Sequence, residues 1–469
     1  MNDYDFFDDG AENTWHSGKS DMEKSILEER DINTIYDSDV LEDIFHNFLD
    51  NSEFEDALKV AERLVQIFPY SGDSWFKRGI ALNNNGFYEE SVLSFEKAIA
   101  LNPSDTETLL NLGLALDNIG RPEESVSIFE RAIAISPVDD ELFFSKAISL
   151  QRLERFVEAE QALQECLRIN PEHREAWYEL GYCKDMLGKL DESLDCYNKH
   201  IDLDPYSSNT WYNRGIVLSK LKRFNESVQS YDMAVAIREN FSSAWYNRGN
   251  VLANIGNLQE AIDSYLKTID LEPDDTDTLF NIATAYEELG NYKEAITFYE
   301  KAVASDADYA DAWYALACCY DMINKHDFAL YAIEHSVKLI PDCIEYLQAK
   351  ADIEYNLADF LAALKTYQRI LELDELNAMV WYDTASLYLE LNKPNKAIPS
   401  FQKVLELDPT HADAHFELAT AYYLNGQKAQ ALDLLVKAIK LDSGKKDMVK
   451  DTFPKFFSNE VIRRKLGII

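Results

Sequence analysis

The chain has 469 residues, a formal net charge of −39 at pH 7 and 46% hydrophobic residues. A field of that sign repels phosphate backbones, which argues against nucleic acid and anionic lipid as main ligands and favours basic partners. No apolar run approaches a membrane span, and the six cysteines form no CxxC pair and show no metal-ligand spacing.

Residues 1–37 hold eleven acidic against three basic side chains, a net −8 without apolar periodicity, so this stretch is expected to be an acidic, largely disordered N-terminal arm. Residues 20–31 have the composition for one helical stretch. The segment Tyr4-Asp5-Phe6-Phe7-Asp8-Asp9 reads as part of a solvated tail, with a docking peptide as the alternative. The start of the chain has neither a basic region nor an apolar stretch of the secretory type, so a cytoplasmic location is expected.

From residue 38 to residue 445 the chain repeats every 34 residues without an insertion or deletion. Stepping from Trp75 gives Leu109, Phe143, Trp177, Trp211, Trp245, Leu279, Trp313, Leu347, Trp381 and His415. Four residues on, the column holds only Gly or Ala, from Gly79 and Gly113 to Ala385 and Ala419; twelve further on, only Ser or Ala, from Ser91 to Ala431. An aromatic four residues later (Phe95, Phe129, Tyr197, Tyr231, Tyr265, Tyr299, Tyr367, Phe401) marks a second helix, and prolines such as Pro69, Pro103 and Pro409 close the repeat. The small column is expected where two helix backbones approach closely. Gly256 and Gly290 are expected to stop first helices, and Ser104 with Glu107 to start one as a capping box. A period of this length means a solenoid.

Residues 38–71 are the weakest copy, because Phe45 replaces the small residue although Leu41, Ala57 and Pro69 keep phase. The copy at 344–377 departs through Leu347, Gln348, Lys350 and Glu354, where a change of curvature is expected. Beyond the last copy, Met448, Val449, Phe453, Phe456, Phe457, Val461, Ile462 and Leu466 supply an apolar face between Lys and Arg, so residues 446–469 are expected to form a C-terminal capping helix region.

These columns (Trp-x2-Leu-Gly, Ala-x3-Phe/Tyr and Pro in one phase) resemble the tetratricopeptide-repeat (TPR) family, with twelve repeats over residues 38–445. The resemblance implies an all-α, right-handed α-solenoid, a TPR superhelix of antiparallel helix pairs whose first helices line a concave groove for protein segments. The column two after the Trp position then faces that groove. It holds Asn111, Asn213, Asn247 and Asn281, the last three from consecutive repeats, much like the asparagine ladder in the TPR domain of O-linked N-acetylglucosamine transferases. An amide both donates and accepts, so it can read a peptide backbone irrespective of sequence. These amides are expected to point into solvent. The neighbouring column is aromatic, including Tyr178, Tyr212, Tyr246, Phe280 and Tyr314, and suits either packing or a binding groove. Acids two residues before the Trp position, such as Asp73, Glu107 and Asp311, would line the rim. The chaperone-binding carboxylate clamp of some TPR proteins is absent: Asn250 and Asn281 match its amides, but Tyr246, Asp311 and Ala315 occupy its basic positions.

Catalytic patterns fail on inspection. Gly18-Lys19-Ser20 resembles the end of a phosphate-binding loop, but Asn13 stands where the leading glycine is required. His411 and His415 have a metal-compatible spacing, yet His415 occupies the Trp column and reads as a packed aromatic substitute. The expectation is a non-catalytic interaction scaffold or adaptor without cofactor or metal, which binds basic or extended protein segments. A peptide-sensing regulatory module and an auxiliary enzyme subunit are the alternatives.

Overall fold

The structure, a computed structural model, describes residue 32 and residues 35–468. Most of the expected N-terminal arm, with its candidate helix at 20–31 and the segment 4–9, lies outside the described residues. Among the described residues every regular element is a helix. The chain divides into two compact units, Met1–Glu239 and Asn240–Ile469. In the first, helix pairs run from Ser38–Asp50 and Phe54–Ile67 to Ser208–Lys220 and Phe224–Ile237; in the second, from Ser242–Asn254 and Leu258–Leu271 to Ala412–Leu424 and Lys428–Leu441. Each pair is a 13-residue helix followed by a 14-residue helix, for example Arg174–Met186 and Leu190–Leu203.

The uniform phase comes from local chemistry at both helix ends. The first helices start at the column four before the Trp position, where Ser71, Ser207, Asp275 and Asn377 accept a hydrogen bond from the backbone N–H three residues on. The capping-box reading was one residue early. The helix Thr106–Asn118 begins after Asp105, because Pro103 and Ser104 form the turn that leaves the previous helix.

The first helices end on a left-handed residue, as Gly256 (φ 79°) and Gly290 (φ 74°) were expected to supply. Half the repeats hold that geometry without glycine, at Ser52, Glu154, Lys222, Asn324, Ala358 and Asn392 (φ 53–59°). An L side chain is strained there, so Ala358→Gly is expected to stabilise its helix pair by about 1 kcal/mol, read from the denaturation midpoint.

The small column meets an aromatic ring rather than a helix backbone, which corrects the sequence expectation. A Cβ added at Gly79 would lie 2.4 Å from the Phe95 ring, and one at Gly215 would lie 2.7 Å from that of Tyr231. Glycine also bares its carbonyl. The hydroxyls of Ser91, Ser125, Ser193 and Ser227 donate to the carbonyls of Gly79, Gly113, Gly181 and Gly215 at 2.7–2.9 Å. Four of the five glycine repeats therefore carry serine in the next small column, whereas every alanine repeat carries alanine there. The weak first copy inverts the pair: buried Phe45 takes the small position, and buried Ala61 stands where the second-helix ring would be. Volume is conserved with the roles exchanged.

The expected single cap is three short helices, Lys445–Thr452, Pro454–Phe457 and Glu460–Lys465, broken at Phe453-Pro454. Val449, Phe453, Phe456 and Leu466 are buried in one cluster with Phe416, Leu435 and Ile439 of the last helix pair.

Candidate interaction face

Within each unit, neighbouring first helices pack beside one another, for instance Arg174–Met186 with Ser208–Lys220, and Ala310–Met322 with Ile344–Asn356. The Trp column anchors the chain at the entrance to each first helix. The indole N–H of Trp75, Trp177, Trp211, Trp313 and Trp381 donates to the carbonyl six residues earlier, at 2.9–3.0 Å. His415 reproduces this bond, its Nε2 lying 3.0 Å from the Pro409 carbonyl oxygen. His411 is a helix cap, its Nδ1 accepting from the Ala414 N–H at 3.2 Å. Both imidazoles thus have structural partners, and His415 stands in for the indole of the Trp column.

The candidate asparagines are half-buried and do not simply point into solvent. In the first unit Asn213 Nδ2 donates to the Tyr178 hydroxyl of the preceding repeat at 2.8 Å. In the second, Asn281 Nδ2 donates to the Tyr246 hydroxyl at 3.2 Å and to Asn250 Oδ1 at 3.3 Å. That Oδ1 also accepts from the Tyr265 hydroxyl at 2.8 Å. Asn247 occupies the same column, half-buried. Asn213 and Asn281 therefore tie their repeats to the preceding ones through their N–H groups. Among the described residues, the carbonyl oxygens of Asn213 and Asn281 receive no protein donor. Asn111 is outside this pattern, and its Nδ2 donates to the Glu107 carbonyl of its own helix at 2.9 Å. The residue 35 positions earlier is Phe76, which has no hydroxyl to receive it.

The aromatic column is largely packing. Tyr178, Tyr212, Tyr246 and Phe280 lie 5.5–6.1 Å, between ring centroids, from Tyr197, Tyr231, Tyr265 and Tyr299 of their own second helices. Tyr314 differs: it stacks on Tyr346 of the next repeat at 5.1 Å, and its hydroxyl donates to Glu345 at 3.2 Å.

Carboxylates on this face are perturbed by their surroundings. Burial pushes the Glu179 carboxyl up to about 7. Burial, with Asp352 nearby, pushes Asp383 up to about 6. Asp352 is itself raised by burial and by Asp321. Asp352 and Asp383 stand in the columns of Asn250 and Asn281, three repeats later.

Sequence models described as tetratricopeptide repeat match residues 43–105, 76–140, 144–208, 208–241, 240–308, 288–353, 349–398 and 382–445, with a single model accounting for more than half of the chain. The chain belongs to the tetratricopeptide-repeat family. No match was found among curated proteins. Similar solved structures are themselves TPR proteins or complexes. YrrB, a TPR protein with an unusual peptide-binding site, is 20% identical over 41% of this chain and 98% of its own, with a TM-score of 0.38. The C-terminal part of a TPR repeat-containing protein from Cytophaga hutchinsonii is 18% identical over 51% of this chain and 99% of its own, with a TM-score of 0.47. A chain of the APC/C hetero-tetramer Cut9–Hcn1 is 14% identical over 93% and 99%, with a TM-score of 0.35. The TPR array is the architecture of a protein-interaction scaffold. No helix among the described residues of this TPR chain is long and apolar enough to cross a membrane.

Proposed function

We propose that this protein is a non-catalytic cytoplasmic scaffold whose first-helix face holds extended protein segments bearing Lys or Arg. The observation that carries this reading is the half-used amide. Asn213 and Asn281 spend their N–H groups on tyrosine hydroxyls and keep a carbonyl oxygen to accept a segment's backbone N–H. The tyrosine holds the amide in place beforehand, which reduces the ordering cost of binding. Net charge adds speed of capture more than lifetime, so raising salt should lower the association rate more than it changes dissociation.

The test is peptide-display selection against the full chain, followed by affinity measurement on the recovered peptides. Lys- or Arg-bearing extended sequences are expected. Asn281→Leu should weaken the bound peptides roughly five-fold, equivalent to about 1 kcal/mol for one lost hydrogen bond. Asn281→Asp keeps an acceptor that the Tyr246 hydroxyl can also reach, so it should retain capture. Recovery of acidic peptides, or equal affinity for the Leu variant, would reject the reading.

A further inference from the structure

We propose that the cleft between helices Ala310–Met322 and Ile344–Asn356 is a pocket for one Lys or Arg side chain, the anchor point of the segment bound to this face. The inference rests on the face being peptide-binding and adds a specificity site to it.

The cleft has a volume of about 550 Å³ and a two-part lining. Tyr314, held by its stack on Tyr346, forms an apolar wall with Met322, Ile344 and Ile353. Asp321, Glu345 and Asp352 supply the carboxylates. A lysine or arginine has the matching shape, with an apolar stem of three or four methylenes ending in a cation. An all-oxygen metal cage would have no use for the apolar wall.

The charge in the cleft is poorly compensated. Asp321 faces His326 at 2.7 Å and the Asn356 amide at 3.2 Å, and Glu345 receives the Tyr314 hydroxyl. Among the described residues, no Lys or Arg lies within ion-pair distance of Asp321, Glu345 or Asp352. Burial raises the Asp352 carboxyl, and repulsion from Asp321 adds to the shift. An incoming cation relieves that repulsion and gains from it. Three repeats earlier the column of Asp352 holds the neutral Asn250, and Asp383, outside the lining, likewise replaces Asn281. Replacement of amides by acids on the same framework changes what can be read there, from a backbone N–H to a side-chain charge.

The experiment uses the full chain with ¹³C-methyl methionine, of which it has seven, and assigns the Met322 signal with Met322→Leu. The probes are N-acetyl-arginine amide, N-acetyl-lysine amide and the neutral N-acetyl-citrulline amide. A saturable shift of Met322 is expected with a cation, with citrulline at least ten-fold weaker. Asp352→Asn and Glu345→Gln should each weaken the cation five-fold or more while the other methyl signals stay in place, showing that the fold is kept. Absence of a saturable shift, equal binding of citrulline, or insensitivity to both variants would overturn the pocket. If display selection succeeds while this titration fails, the pocket alone is wrong. If selection recovers no extended segment, the underlying reading fails whatever the titration gives.

Discussion

Phe453→Ala is expected to destabilise the last helix pair by about 3–5 kcal/mol. Phe453 is fully buried at the break between two short terminal helices. Its ring meets Phe416 edge-on at 5.5 Å and Tyr423 at 5.2 Å, and stacks on Phe456 at 5.8 Å. Truncation would leave a cavity bounded by three other rings and loosen the short terminal helices packed on the final repeat. Because a repeat array is coupled through nearest neighbours, the damage should stay local. Amide hydrogen exchange is the measurement: protection should fall across Ala412–Leu441 and persist in helix Tyr88–Leu101. Uniform loss along the chain would show global cooperativity instead. Removing residues 446–469 entirely should have the same signature, with aggregation through the exposed apolar surface.

The stability difference between the wild type and Glu179→Gln is expected to change with pH by about 3 kcal/mol. Burial raises the folded-state pKa of Glu179 to about 7, above the ordinary glutamate value of 4.5. Below about pH 4.5 the carboxyl is neutral in both the folded and unfolded chain, so burial carries no charge penalty. Between pH 4.5 and 7 the unfolded chain ionises while the folded chain holds its proton, and stability is lost as pH rises. Above pH 7 the loss is complete. The glutamine variant has no proton to lose, so it should gain on the wild type through this window and then run parallel. Taking the difference cancels every other titrating group that the substitution leaves unchanged. A carboxyl ¹³C titration gives that pKa directly, and a midpoint near 4.5 would remove the effect. At neutral pH this position on the face is only partly charged, so the formal net charge overstates the field there.

Much of this architecture is legible in the chain. The 34-residue phase, the left-handed residue at Gly256 and Gly290, the His415 substitution and the apolar terminal segment could all be read because each depends on a residue's own type and spacing. The pairing of serine with glycine was equally legible, since both columns were in view, but its reason was not. Only the helix packing shows that a glycine carbonyl needs a donor. The same holds for Phe45 and Ala61, whose exchange of sizes looks like two departures until the side chains meet.

The first-helix face was legible as columns and not as contacts. Sequence placed Asn213, Asn247 and Asn281 in register but predicted free amides. It could not show that the Tyr178 and Tyr246 hydroxyls take up N–H groups of Asn213 and Asn281, which needs atoms 35 residues apart to come within 3 Å or so. The cleft at Tyr314 depends likewise on two helices from different repeats. By itself, then, the sequence determined the family, the helix pairs and the acidic surface, because these follow from local periodicity and composition. Tertiary structure alone decided which polar atoms are spent between repeats, because hydrogen-bond satisfaction is a property of neighbours in space.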